Sequence, residues 1–207
     1  MTRTLVIDTA TAACSIALFE GEDLLAWRDE VVGRGHAERL VPMIAELPDG
    51  GRAGRILVDV GPGSFTGIRV GIAAARGLAL GWGASVAGYS SLALVAMDEF
   101  TNAGRSSPFA VVMEGGHGEV FVQRYAGRPE FRAMDDFESL TPSDALNRLG
   151  AMQAVGTGVG RLADLPARQR GPSLLPSAMF ALALPASYRD LPARPLYGRA
   201  PDAKLPA

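Results

Sequence analysis

Residues able to do chemistry are few in this sequence and stand far apart. The two histidines, His36 and His117, are isolated, and no His-x-x-x-His pair is present to seat zinc or iron. His36 falls where a helix should open, and a capping or surface role accounts for it. The single cysteine, Cys14, lies inside an apolar run and reads as a small buried hydrophobe rather than a nucleophile. Alone it forms no intrachain disulfide and no multi-cysteine metal site. Asp8 closes the first apolar run, where nucleotide-binding folds of this pattern place a carboxylate facing a metal or phosphate. A phosphate-gripping hairpin would need glycine next, but the chain continues Thr9-Ala10-Thr11-Ala12-Ala13. A plain turn cap is therefore an equal reading of Asp8. Glu114 occupies the matching place further on, before Gly115-Gly116-His117-Gly118, where a tight hairpin explains the glycines. Spacing assembles no nucleophile–base pair and no carboxylate dyad, so no catalytic residue and no metal ligand is expected.

The strongest local signal is Gly61-Pro62-Gly63-Ser64-Phe65-Thr66-Gly67-Ile68-Arg69-Val70-Gly71. It reads as a glycine-rich turn from a buried strand into a helix, with Ser64 and Thr66 as candidate caps for exposed amides. Such a turn can cradle a phosphate, because free amides and the helix dipole point toward it. It lacks the Gly-Lys-Ser/Thr ending of a P-loop. Two readings stay open: a vestigial phosphate site formed by Asp8, Gly61, Gly63, Ser64 and Thr66, or a tight turn that lets the helix pack closely on a sheet.

The elements that must position these residues follow from periodicity. Leu5–Ile7, Cys14–Phe19 and Leu24–Arg28 predict a meander of three strands. Leu40, Met43, Ile44 and Leu47 mark one face of a helix over His36–Leu47. Ile56–Val60 is a short, nearly continuous apolar strand of the kind buried in parallel sheets. A helix over Gly67–Trp82, a strand at Ser85–Gly88 and a helix from Ser91 complete a ribonuclease-H-like half. The second half restarts with strands at Phe109–Met113 and Glu119–Tyr125, and a third expected at Phe131–Met134. A helix after Thr141-Pro142 and a strand at Met152–Val155 follow. Frequent prolines from Pro166 onward exclude long regular elements, allowing a short helix at Ala178–Leu184 and then an extended surface tail. The expected units are residues 1–105 and 106–207, the second an eroded copy of the first.

The helix after the glycine-rich turn is apolar or small around nearly its whole circumference, broken only by Arg69 and Arg76. A helix apolar all round is buried on all sides. In so small a unit, a partner subunit would have to cover the second side.

Composition sets the outer limits. The 207 residues are 48% hydrophobic and 20% charged, enough apolar material for a packed core. The formal charge is −2, so no global basic field can hold nucleic acid unaided, and any link to RNA runs through a partner or a local patch. The first residues do not read as a signal peptide, and no apolar run reaches the ~18 residues needed to span a bilayer. A cytoplasmic protein with no membrane contact is expected.

Taken together, the opening VIDTAT..CSIAL, the Arg34-x-His36 helix start, the Gly61–Gly71 stretch, Gly118-Glu119-Val120-Phe121 and Pro195-Leu196-Tyr197-x-Arg199 resemble the TsaB family (YeaZ-like, of the glycoprotease or peptidase-like superfamily) over almost the whole chain. The resemblance implies an actin-like ATPase fold of two ribonuclease-H-like halves, with the nucleotide and metal chemistry lost. It implies a non-catalytic scaffold or activating subunit that pairs with TsaD, which transfers a threonylcarbamoyl group to the adenosine beside the tRNA anticodon. A TsaE-like ATPase would bind that pair and tRNA would be met indirectly; whether the free chain is a monomer or a homodimer through the same helix surface stays open. No tightly bound cofactor is implied, although ATP or ADP at the partner interface is compatible. The pairing helices of such proteins lie in the N-terminal half, which marks Gly67, Ile68, Arg69, Gly71, Ile72, Ala74, Ala75, Arg76 and His36 as interface candidates. One departure stands out: the family's Asp-Ala-Arg-Arg/Lys before Gly-Glu-Val is here Glu114-Gly115-Gly116-His117, without its two cations. The competing reading is an enzyme of the same superfamily, a weak ATP-binding protein or a peptidase.

Overall fold

The computed structural model of the protein describes residues Thr2 to Gly198. Strands β1 (Arg3–Asp8), β2 (Ala13–Glu20) and β3 (Asp23–Val31) form the antiparallel meander. After α1 (His36–Ala45), strand β4 (Arg55–Asp59) pairs parallel to β1. Helix α2 (Phe65–Trp82) then crosses to β5 (Ser85–Tyr89), parallel to β4, and α3 (Ser91–Asn102) follows. The sheet order is β3-β2-β1-β4-β5. β4 is buried through Ile56–Asp59, as its apolar run requires of a strand covered on both faces.

The second sheet, β8-β7-β6-β9, repeats the first four positions of that order and lacks the fifth. It is built from β6 (Phe109–Glu114), β7 (Val120–Tyr125), β8 (Glu138–Leu140) and β9 (Gln153–Val155), with α4 (Pro142–Leu149) before β9. Thr141 caps α4 by accepting from the Asp144 amide, with Pro142 in the first turn. Two sheets of ribonuclease-H-like order give the actin-like ATPase architecture, complete in the first half and truncated in the second.

The expected third strand at Phe131–Met134 is not formed; only a single bridge, Ala133 to Tyr125, remains there. The reason is aromatic packing. Phe131 meets Phe100, Tyr125 and Tyr188 at centroid distances of 5.5, 5.6 and 5.2 Å, and the Ala133 amide donates to the Tyr188 hydroxyl at 2.7 Å. The segment gives its backbone donor to a side chain, and the third strand forms later, at β8.

The helix enclosed between the two sheets is α3. Ser91 to Met97 are all buried, and α3 shares one apolar cluster with Val6, Ala17 and Leu57 of the first sheet and Phe109, Val111 and Phe121 of the second. Within the chain itself helix α2 is covered on one face only, and the side expected to need a partner subunit stays open. Its Ile68, Ile72, Ala75 and Ala79 pack with α1 and the first sheet, while Leu80 is 89% exposed and Phe65 54% exposed.

The chain then folds back. Short 3-10 turns lead to Ala178–Ala183, whose first amide donates at 2.7 Å to the buried Ser15 hydroxyl. Beyond α5 (Ala186–Arg189), the tail does more than lie on the surface. Leu191 exchanges two hydrogen bonds with Gly88, at 2.6 and 3.0 Å, and the Leu196 amide donates to Val60 O at 2.7 Å. The final Arg199 of the tail motif lies outside the described residues.

Candidate functional site

In open sheets of this kind, ligands bind beyond the carboxyl ends of the strands. Asp8 ends β1 and Asp59 ends β4. The parallel register pairs Ile7 with Val58, so the next residue on each strand brings the two carboxylates together. Both are completely buried. Asp59 Oδ1 accepts from the Gly61 amide at 2.6 Å, and its two oxygens accept from the Ser91 hydroxyl at 2.8 and 2.7 Å. Asp8 Oδ1 accepts from the Ala10 amide at 3.2 Å, and Oδ2 lies 3.3 Å from the Tyr89 hydroxyl, which also reaches Ile7 O at 3.0 Å.

Burial, and then the neighbouring Asp59, push the Asp8 carboxyl well above its ordinary range. Burial also raises Asp59, while hydrogen bonds from Asp8 and Ser91 oppose that rise. Two like charges brought together in a dry site oppose each other's ionisation, which favours the protonated form of Asp8. Burial likewise raises the Tyr89 phenol well above its usual value, and it pushes the Cys14 thiol up to about 11. Sequence reasoning missed Asp59, reading it as part of an apolar strand. The available signal was a lone carboxylate closing that strand in register with Asp8.

The glycine-rich turn lies directly against this pair, and its geometry separates the two open readings. A Cβ at Gly63 would stand 2.1 Å from Ala10 O, and one at Gly67 would stand 1.9 Å from Thr9 O. The Ser64 amide donates to Ala10 O at 2.6 Å, and the Thr9 hydroxyl donates to Gly67 O at 2.7 Å. The β1–β2 hairpin backbone thus occupies the ground in front of the α2 N-terminus. Ser64 caps the helix itself, its hydroxyl accepting from the Gly67 amide at 3.3 Å. Gly61, at φ 103°, is enclosed by Ile68 and Leu196 O. Thr66 is exposed on the first turn. The glycines serve close packing of hairpin on helix, and two of the amides at this turn, those of Ser64 and Gly67, are already engaged.

The other named residues are placed as follows. Gly67, Ile68, Gly71, Ile72 and Ala75 face the chain's own sheet, and buried His36 reaches Ala13 O at 3.1 Å through Nε2. Of the interface candidates, Arg69 and Arg76 are exposed and Ala74 is half-buried. Glu114 is exposed and paired with Arg161 at 2.9 Å, and His117 sits exposed in the β6–β7 turn at φ 58°. Among the described residues, no three His, Cys, Asp or Glu side chains converge on a common point, and no helix is long and apolar enough to cross a membrane. Two shallow hollows, one lined by Arg3, Gly54 and Trp82 and the other by Arg105, Gln153 and Arg168, lie away from the Asp8–Asp59 pair.

Comparison with known proteins fixes the kinship. The TsaB protein of Haemophilus influenzae is 32% identical over 199 residues, covering 87% of this chain and 83% of that protein. This chain belongs to the TsaB family. The Escherichia coli TsaB is 37% identical over 130 residues, a match that spans about half of that protein, 54%. The family model described as "TsaD: tRNA N6-adenosine threonylcarbamoyltransferase" matches residues 29–139. Among solved structures, "YeaZ from Pseudomonas aeruginosa" is similar with a TM-score of 0.80 at 30% identity, covering 95% of this chain and 100% of that one. The TsaB relatives are named for tRNA threonylcarbamoyladenosine biosynthesis, so membership places the chain in that biosynthetic family.

Proposed function

We propose that this chain is a non-catalytic accessory subunit that docks onto a TsaD-like threonylcarbamoyltransferase through the open face of α2. The observation that carries this reading is the contrast between two surfaces. The strand ends where this fold would do chemistry are sealed by hairpin, turn and a self-satisfied carboxyl pair. One ridge of α2, by contrast, presents Phe65, Ala73, Gly77 and Leu80 to solvent. Large apolar groups gathered on one face are the usual mark of an interaction site. The family-model match over 29–139 supports a partner of like fold, since α1 and α2 both fall within it. On this reading tRNA is engaged through the pair, a TsaE-like ATPase joins the pair rather than the free chain, and ATP or ADP is met only where the two subunits meet.

The test is calorimetric titration of the full chain with the transferase paralogue from the same organism. Leu80→Glu places a charge on the most exposed apolar side chain of the ridge and should weaken pairing by tenfold or more, the scale of an interface hot spot. Its thermal unfolding should match wild type, because Leu80 makes little contact in the free chain. Unchanged affinity in Leu80→Glu would refute the surface. Millimolar or tighter binding of ATP and magnesium to the isolated chain, lost in Asp8→Ala, would restore the nucleotide-binding alternative.

A further inference from the structure

Two recognisable stretches far apart in the sequence, Phe65 to Arg69 and Pro195 to Tyr197, meet on one surface. The Arg69 guanidinium lies 3.5 Å over the Phe65 ring centroid, and its Nε donates to the Tyr197 hydroxyl at 3.1 Å. The Tyr197 and Phe65 rings stand 5.4 Å apart at 30°. Two turns along the helix, the Arg76 guanidinium donates to Ala193 O at 2.7 Å. The tail therefore runs beside α2 and holds each arginine by one donor.

Neither arginine is neutralised by a described residue. Among the described residues no carboxylate pairs with Arg69 or Arg76, and α2 contains no acidic residue in its whole length. At 100° per residue, a separation of seven returns to within about 20° of the same direction and about 10 Å further along the axis. The same geometry sets both arginines on the tail-side edge of the open ridge, with Ala73 and Leu80 next to them. Arginine held flat by an aromatic ring loses little freedom when it forms a forked bond to a carboxylate.

We propose that Arg69 and Arg76, pre-set by the C-terminal tail, recognise two carboxylates about 10 Å apart on the transferase surface that covers α2. This rests on the docking reading above and adds to it the chemistry of the opposing face and a role for the tail. The bare cations at the margin of an apolar ridge argue for a protein surface with carboxylates in register. An apolar ridge seated on water or on nucleic acid would leave Leu80 and Phe65 uncovered.

The test titrates the full chain with the cognate transferase at low and high salt, for wild type, Arg69→Gln with Arg76→Gln, Tyr197→Phe and Leu80→Glu, after thermal unfolding has shown each to be folded. The double arginine variant should lose at least tenfold in affinity, with a flatter salt dependence. Tyr197→Phe keeps the ring but frees the guanidinium, and should lose about threefold. If wild type pairs, Leu80→Glu blocks pairing and the double variant stays within twofold of wild type, the arginine proposal is overturned while the docking reading stands. If Leu80→Glu also pairs normally, both fall. If sedimentation shows the free chain dimeric through this ridge and the transferase does not displace the second copy, the occupant is that copy and the proposal is overturned.

Discussion

Gly67 and Gly77 lie on the same helix, and the same substitution should move stability in opposite directions at the two sites. At Gly67 an alanine Cβ would stand 1.9 Å from Thr9 O, whereas ordinary contact begins at 3.4 Å, so hairpin and helix would have to part by about 1.5 Å. The hydrogen bonds from Thr9 Oγ1 to Gly67 O and from the Ser64 amide to Ala10 O would stretch together, in a buried place where an unmade bond costs ~1–3 kcal/mol. Overpacking adds ~1–3 kcal/mol, and the better helix propensity of alanine returns up to ~1 kcal/mol. A net loss of about 3 kcal/mol is expected, and for a chain of this size that lowers Tm by roughly 6–12 °C. At Gly77 nothing lies within 4 Å of an added Cβ, so Gly77→Ala should gain ~0.5–1 kcal/mol and raise Tm by roughly 1–4 °C. Differential scanning calorimetry of the two variants beside wild type reads both signs. A Gly67→Ala chain that melts with wild type would show that the hairpin does not fill the front of the helix, and the phosphate cradle would return as a reading of the turn.

The carboxyl pair gives a pH signature. The native Asp8 pKa is raised, so the folded state holds its proton more tightly than the unfolded chain does. Its contribution is full below the unfolded carboxylate pKa of about 4 and is lost as pH rises through the raised native value. Asp8→Asn keeps a donor toward Asp59 and does not titrate. The Tm of Asp8→Asn minus that of wild type should therefore grow from pH 5 to pH 9, and a difference constant across that range would rule out the raised Asp8 pKa. Cys14 makes a simpler case. Fully buried and with its thiol pushed up to about 11, it should react with a disulfide reagent only after unfolding. Fast labelling of the native chain would show that β2 opens.

Much of the fold was legible in the sequence because it rests on short-range rules. Alternating and continuous apolar runs placed most strands of both sheets within a residue or two. Glycine and proline marked the turns, and Thr141-Pro142 announced α4. The poverty of histidine and cysteine needed no structure to read. Where the rules gave way, a distant residue decided. Phe131 left its expected strand because three aromatic rings from other elements offered it a better place. The apolar character of α2 was visible, but a helical wheel cannot say which side meets the sheet. The structure turned Ile68, Ile72 and Ala75 inward and left Leu80 bare.

The sequence by itself determined most of the strands and helices and their order, because periodicity and turn residues act locally, and its motifs carried the family resemblance. Only the tertiary structure shows what the glycine-rich turn and its helix pack against. The glycines answer to Thr9 and Ala10, more than fifty positions away, and Arg69 and Arg76 of α2 to Tyr197 and Ala193, more than a hundred away. Asp59 likewise acquired meaning only when parallel pairing laid it beside Asp8. Close approach between remote backbones, and the burial that favours a protonated carboxyl, are properties of packing, and no window of sequence contains them.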